Sequence, residues 1–244
     1  MWYRIWYQNL VKSTMTGTEG QGLMPTTSTT AKRPLPLPRP RAPRPPRLEP
    51  GFHTGRLPTK RAIAVLEELE ALFKAEGFAH LTAEELAARL RCSRRMLYQL
   101  APGLDELAVL VVDRFFQRMG HTGYAMASAG HSRTQQLDAY MRSGNADFAT
   151  LSPAFNHDMQ TLPATRRLAD AHLAFGVTIF ESILELGVQE GEFSPVNSSL
   201  VARMFLAGLL RLVDPQLLHE TNLSVPDAID EYANLILNGI RRRH

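Results

Sequence analysis

The residues of this chain best suited to chemistry stand close together. Thr82, Arg91, Ser93, Arg94, Arg95, Tyr98 and Gln99 all fall within one stretch, TAEELAARLRCSRRMLYQ. The set offers hydroxyl, guanidinium, phenol and amide groups, but no paired carboxylates and no nucleophile beside a base. Such groups hydrogen-bond to phosphate oxygens, and arginine matches guanine O6 and N7 with two parallel N–H donors. The chemistry implied is recognition of nucleic acid, not bond breaking.

Two short helices must present these groups. Thr82 followed by Glu85 is a capping box that opens the first. Leu86 and Leu90 lie four apart and face inward, while Ala87 and Ala88 are small enough for close helix approach. Ser93 caps the second helix, Arg94–Leu100. Its inward residues are Met96, Leu97 and Leu100; Arg94, Arg95, Tyr98 and Gln99 face out. The spacing is that of two helices joined by a tight turn, a helix-turn-helix. Ahead of them, Ile63, Leu66, Leu69, Leu72 and Phe73 form one apolar stripe over Lys60–Glu76, with Glu67, Glu68, Glu70 and Lys74 between, and Gly77 ends that helix.

The remainder also reads as helical. A long apolar helix is expected from Leu104, weakened at its far end by Gly120, Gly123 and Gly130. A polar helix covers His131 to Arg142, and an irregular stretch or short helix runs from Phe148 to Asp158. A long helix spans Thr161 or Pro163 to Glu190, and helices follow over Ser198 to Val213 and Pro226 to Ile240. The first of that last pair is apolar on nearly all sides, which predicts burial on more than one side. No strand-like alternation stands out, so the body is read as all-α.

Charge is unevenly distributed. The first 60 residues hold ten Lys/Arg against two Glu, and the rest seventeen Lys/Arg against twenty-two Asp/Glu. The net +3 therefore hides a tail at +8 on a body at −5, and nucleic-acid binding must use a local basic patch. Residues 34–50, PLPLPRPRAPRPPRLEP, favour extended polyproline II, and the Ser/Thr/Gly-rich stretch before them reads as disordered. Arg39, Arg41, Arg44 and Arg47 read either as a basic arm reaching phosphates or as a solvated linker. The aromatic cluster Trp2, Tyr3, Trp6 and Tyr7 raises the alternative that translation starts at Met15 or Met24. No apolar run approaches the roughly 20 residues of a membrane span. The lone Cys92 excludes an internal disulfide framework and fits a cytoplasmic protein.

At this point residues 61–107 resemble the DNA-binding domain of TetR-type bacterial transcriptional regulators, through LFKAEGFAHLT, ELAARLRCSRRMLY and PGLDEL. Composition sets off residues 1–56 as a disordered basic Pro/Arg-rich tail; the resemblance implies a three-helix DNA-binding domain (57–103) and a helical effector-binding and dimerisation domain (104–244). It makes Thr82 and Ser93 phosphate-touching caps, Tyr98 a phosphate contact, Arg94 and Arg95 base readers, and Arg91 a further phosphate contact. It also implies a homodimer on a palindromic double-stranded operator, released by a small-molecule effector, most often as a repressor. Two departures stand out. Arg91 occupies a turn position usually held by glycine, where a left-handed backbone costs roughly 1 kcal/mol. Leu104 replaces a phosphate-binding lysine, which lowers the salt slope by about one unit. These departures support an alternative: a helical dimer with a degenerate DNA face that acts through protein partners.

A second group, Phe116, His121, Tyr124, Tyr140, Phe155, His172 and Phe175, falls on the helices that would enclose an effector; each reads as pocket wall or core. Met204, Phe205, Leu235 and Ile236 are the expected dimer contacts. His121, His157 with Asp158, and His172 lack metal-ligand spacing, and no phosphate-binding glycine loop or GxSxG elbow is present. No metal, no cofactor and no enzymatic activity are expected.

Overall fold

The structure is a computed structural model and describes residues 33–40, 43–51, 55 and 58–242. Among the described residues it holds eleven helices and no strand; Phe193 and Arg241 form an isolated antiparallel bridge. Helix α1 (Lys60–Glu76), α2 (Ala83–Arg89) and α3 (Arg94–Leu100) make the head. Then come α4 (Leu104–Ser128), α5 (Arg133–Arg142), α6 (Asn145–Ala149), α7 (Pro153–Thr161), α8 (Pro163–Gln189), α9 (Ser198–Leu212), α10 (Pro215–Thr221) and α11 (Val225–Ile240).

Local chemistry sets most boundaries. The Thr59, Thr82, Ser93, Ser132, Ser152, Asn197, Asp214 and Ser224 side chains each accept an amide at a helix start. Gly77 ends α1 at φ 80°, and a Cβ there would stand 2.6 Å from Asp158 Oδ2, so only glycine fits. The Asp158 carboxylate in turn accepts the amides of Phe78 (2.6 Å) and Ala79 (2.9 Å), tying the head to α7.

Two apolar cores result. The first joins the head to α4, α7 and the start of α8. Its aromatic spine runs Phe73–Phe78 (5.4 Å), Phe78–Phe155 (5.9 Å) and Phe155–Phe115 (6.4 Å). The second lies between α5, the later part of α8, α9 and α11. Phe205 is stacked there between Phe180 (4.8 Å) and Tyr232 (5.6 Å). Helix α8 has the length and apolarity of a membrane span, but here it is the central helix, packed by α4, α5, α7 and α9.

Several expectations are corrected. Glu70 does not face water: it is 4% exposed and paired with Arg114 (3.4 Å) and Arg118 of α4. Helix α4 runs unbroken through Gly120 and Gly123, which are sites of close approach; a Cβ on Gly123 would meet Ser143 Oγ at 2.8 Å. Of the alternatives for Phe148 to Asp158 the short helix holds, as α7 around Pro153, with α6 ending just before it, and α10 is a helix that the sequence pattern does not announce.

The largest correction concerns the tail. Residues 33–40 and 43–51 are an extended strap laid along the body, not a disordered arm. Polyproline II has no internal hydrogen bonds, so its carbonyls seek outside donors. Arg133 Nη1 donates to the Pro36 carbonyl (2.9 Å), Gln136 Nε2 to that of Leu35 (2.8 Å) and Gln117 Nε2 to that of Pro45 (3.4 Å). The Leu35 amide donates to the Gly130 carbonyl at 3.0 Å. Leu37 and Leu48 add apolar contacts, one on each core. The cluster Trp2, Tyr3, Trp6 and Tyr7, Met15 and Met24, and Arg41 lie outside the described residues.

Candidate nucleic-acid interface and ligand cavity

The head presents α3 on a fixed base. Leu97 and Leu100 are 1% and 2% exposed, so the helix cannot roll without opening the core. That anchoring turns Arg94, Arg95 and Tyr98 outward, Tyr98 with 44% of its surface in solvent; Gln99 is half-buried. The Thr82 capping box is complete: Glu85 N donates to Thr82 Oγ1 (3.2 Å) and Thr82 N to Glu85 Oε2 (2.8 Å). These contacts with Thr82 outweigh a small desolvation and hold the Glu85 carboxyl below its usual range. Ser93 Oγ accepts the Met96 amide at 3.2 Å.

Between the helices Arg91 is exposed and takes φ 46°, the left-handed backbone its position demands. Arg94 is paired across the surface with Glu84 of α2. Both partners are largely exposed, so the pair is weakly held and open to exchange. Cys92 is half-buried, and burial pushes its thiol up, away from reactivity.

Behind the head, α4, α5, α8, α9 and the strap enclose a cavity with about 830 Å³ of empty space, its open mouth included. Its wall is mostly apolar: Phe116, Phe148, Phe180, Leu206 and Leu209 contribute, and Gly120, Gly123 and Gly176 leave room. The polar groups are few. Tyr140 donates to the Gly176 carbonyl at 3.0 Å, and burial pushes its phenol well above the usual range. His172 stacks on Phe116, ring centroids 5.4 Å apart. Arg44 enters from the strap, its Nη2 donating to the Gln117 carbonyl at 2.9 Å.

His172 also belongs to a buried node. Its Nε2 lies 3.0 Å from Asp113 Oδ1, and Asp113 is fully buried. With the carboxylate as acceptor, His172 Nε2 is the donor. The other oxygen, Oδ2, accepts the Leu48 amide of the strap at 2.9 Å. Beyond Glu49 and Pro50 the strap reaches Gly51, whose amide donates to the Leu100 carbonyl at the end of α3 (2.8 Å). The cavity wall, the strap and the outward-facing helix are thus joined by consecutive contacts.

Of the pocket residues read from sequence, the structure brings Phe116, Tyr140, His172 and Phe175 to the cavity. Phe155 instead fills the first core, and His121 and Tyr124 lie on α4 outside the cavity lining. Phe148, on a segment read as pocket-forming, lines it too, and Arg44 and Phe180 do so without having been singled out for it. Phe205 is 7% exposed and Ile236 packs on the second core, whereas Met204 and Leu235 are 57% and 68% exposed. Among the described residues no group of three His, Cys, Asp or Glu side chains is placed to hold a metal ion.

No protein-family model matches the sequence, and no curated protein does. Solved structures do match in fold. A TetR-family regulator, PfmR from Thermus thermophilus, is 21% identical over 73% of this chain and 99% of its own, with a TM-score of 0.56. A TetR-family regulator from Cytophaga hutchinsonii is 16% identical over 76% and 98%, with a TM-score of 0.63. AibR, solved with isovaleryl coenzyme A and operator DNA, is 19% identical over 72% and 97%, with a TM-score of 0.55. A head of three helices with an outward-facing third, joined through a shared core to a helical body with an apolar cavity, is the fold of the TetR-family transcriptional regulators, and this chain has it.

Proposed function

We propose that this protein is a homodimeric, sequence-specific DNA-binding regulator of transcription, a repressor released by a small-molecule effector, working in the cytoplasm without a catalytic step. The observation that carries the reading is α3: a core-anchored helix whose exposed face holds Arg94, Arg95 and Tyr98 beside Arg91. In the major groove Arg95 reads a guanine edge, and Arg94 does so once it leaves Glu84. Tyr98, Thr82, Ser93 and Arg91 contact flanking phosphates, with Gln99 at the edge of the face. The AibR structure, which holds both a coenzyme A thioester and operator DNA, supports pairing such a head with a ligand site.

The dimer is assigned to α9 and α11, where Leu200, Met204, Leu210 and Leu235 are exposed apolar side chains of one chain. Two heads related by a two-fold axis would read half-sites roughly 34–36 Å apart. A ligand that favours another head spacing lowers operator affinity, because only differential affinity shifts an equilibrium.

The test is selection of bound fragments from the host genome, followed by a gel shift on the best site. The expected result is a palindromic motif whose binding falls with Arg95→Ala plus Tyr98→Phe. Unchanged affinity in that double variant would sink the assignment of α3 as the reading helix.

A further inference from the structure

Two hydroxyl oxygens stand side by side in the cavity wall. Tyr140 lies in the last turn of α5 and Ser143 caps that helix, so their side chains share one face. Both donate to the protein: the Tyr140 phenol to the Gly176 carbonyl at 3.0 Å, and Ser143 Oγ to the Tyr140 carbonyl at 2.8 Å. Burial keeps the phenol protonated by pushing it well above its usual range. A hydroxyl carries one hydrogen and two lone pairs, so one that donates inward can still accept. Two glycines of the lining leave these oxygens uncovered. A Cβ on Gly123 would meet Ser143 Oγ at 2.8 Å, and one on Gly176 would lie 3.3 Å from Tyr140 Oη. Apart from Arg44 and His172 the rest of the lining is apolar. Paired acceptors in an apolar chamber select a ligand that brings one donor and an apolar body. A cationic donor would find no aspartate or glutamate among the described lining residues to balance it.

We propose that the cavity binds an uncharged alcohol, its hydroxyl donating to the oxygen pair of Tyr140 and Ser143 and its apolar body against Phe116, Phe148, Phe180 and Leu206. This rests on reading the cavity as the effector site. The Tyr140 phenol bonds α5 to α8 through Gly176, so a ligand anchored there sits on the contact between two helices of the body.

The experiment is calorimetric titration of the full chain with octan-2-ol and octan-2-one. The two share a skeleton, but the alcohol brings a donor and the ketone only an acceptor. Wild type is expected to bind the alcohol about three- to tenfold more tightly, the worth of one net hydrogen bond. Tyr140→Phe with Ser143→Ala removes both oxygens and should bring the probes within about twofold of each other. Ser143→Ala alone keeps the Tyr140 bond to α8 and should narrow the gap part of the way; it decides the question if the double variant loses its circular dichroism melt. Failure of wild type to bind the alcohol, a ketone bound as tightly, or a preference untouched by these variants overturns the proposal. Operator release, measured in parallel by gel shift, separates the two readings. Alcohol binding that depends on the two hydroxyls but releases no operator keeps the alcohol site and refutes the effector role. Release by either probe regardless of the hydroxyls keeps the effector role and refutes the alcohol site.

Discussion

Replacing Asp113 by alanine should be among the most damaging single changes in the protein. The carboxylate is fully buried and accepts the Leu48 amide at 2.9 Å and His172 Nε2 at 3.0 Å. Gln117 Nε2, at 3.4 Å, adds little and has the Pro45 carbonyl as a second acceptor. Alanine leaves two buried donors without an acceptor, at about 1–3 kcal/mol each. Together the two come to about 2–6 kcal/mol, centred near 4 kcal/mol. For a domain of about 200 residues each kcal/mol moves Tm by about 2–4 °C, giving a fall of about 8–16 °C. Urea unfolding and a thermal melt, both followed by circular dichroism, would measure it. Asp113→Asn, which keeps one acceptor oxygen, should lose about half as much. The loss should also release the strap, so trypsin should cut Asp113→Ala at Arg47 before any site in the body. A destabilisation below about 1 kcal/mol, or a strap no more cleavable than in wild type, would refute the assignment of Asp113 as the node.

Further tests address other links. Arg91→Gly relieves a left-handed backbone but loosens the unfolded chain, so stability should stay within about 1 kcal/mol of wild type. If Arg91 contacts phosphate, the salt slope of operator binding should fall by about 0.9 per protomer. Met204→Glu and Leu235→Glu should give folded monomers in sedimentation, whereas Phe205→Glu, with its ring stacked between Phe180 and Tyr232, should unfold the chain. Glu192 provides a pH signature. Burial raises its carboxyl, but the Arg133 and Thr134 amides, the Thr134 hydroxyl and the Arg133 charge outweigh this and hold it below its ordinary 4.5. A depressed folded value means its stabilisation is full above the unfolded value and lost as pH falls through the folded one. Glu192→Gln should therefore be less stable at neutral pH and flatten the acid limb of a urea series; a parallel shift at every pH would contradict this. Gly187→Ala puts a methyl 2.1 Å from the Phe193 ring and should cost about 1–3 kcal/mol by overpacking, read from the urea midpoint.

The head was legible because its signals are local. Thr82 with Glu85, Ser93 before Arg94, and Gly77 after Glu76 act within a few residues, and the left-handed backbone at Arg91 followed from the glycine that the resemblance sets at that turn. What escaped the sequence depends on distant partners. Glu70 reads as a surface charge until Arg114 and Arg118 arrive from α4. Phe205 and Met204 are neighbours on one apolar helix, and only the placement of Phe180 and Tyr232 decides which is core. His121 and Tyr124 share a helix with Phe116, but the cavity meets only some of its faces. The strap was read from proline content, which describes what the segment cannot do for itself. Its order comes from donors and acceptors 49 to 101 residues away: the strap's Gly51 meets Leu100 at the near end of that range, and Leu35 meets Gln136 at the far end.

Those separations have a consequence for how the chain folds. During synthesis the strap emerges before every helix it leans on, and a polyproline II conformation offers no internal hydrogen bonds to hold a shape while it waits. Closing loops of such length is costly until the body exists to reward it, so docking belongs to the end of folding. Contacts made that late are absent from the transition state, and losing them mainly speeds unfolding. The strap is then a brake on unfolding, and its removal should shorten the lifetime of the native state far more than it slows the approach to it.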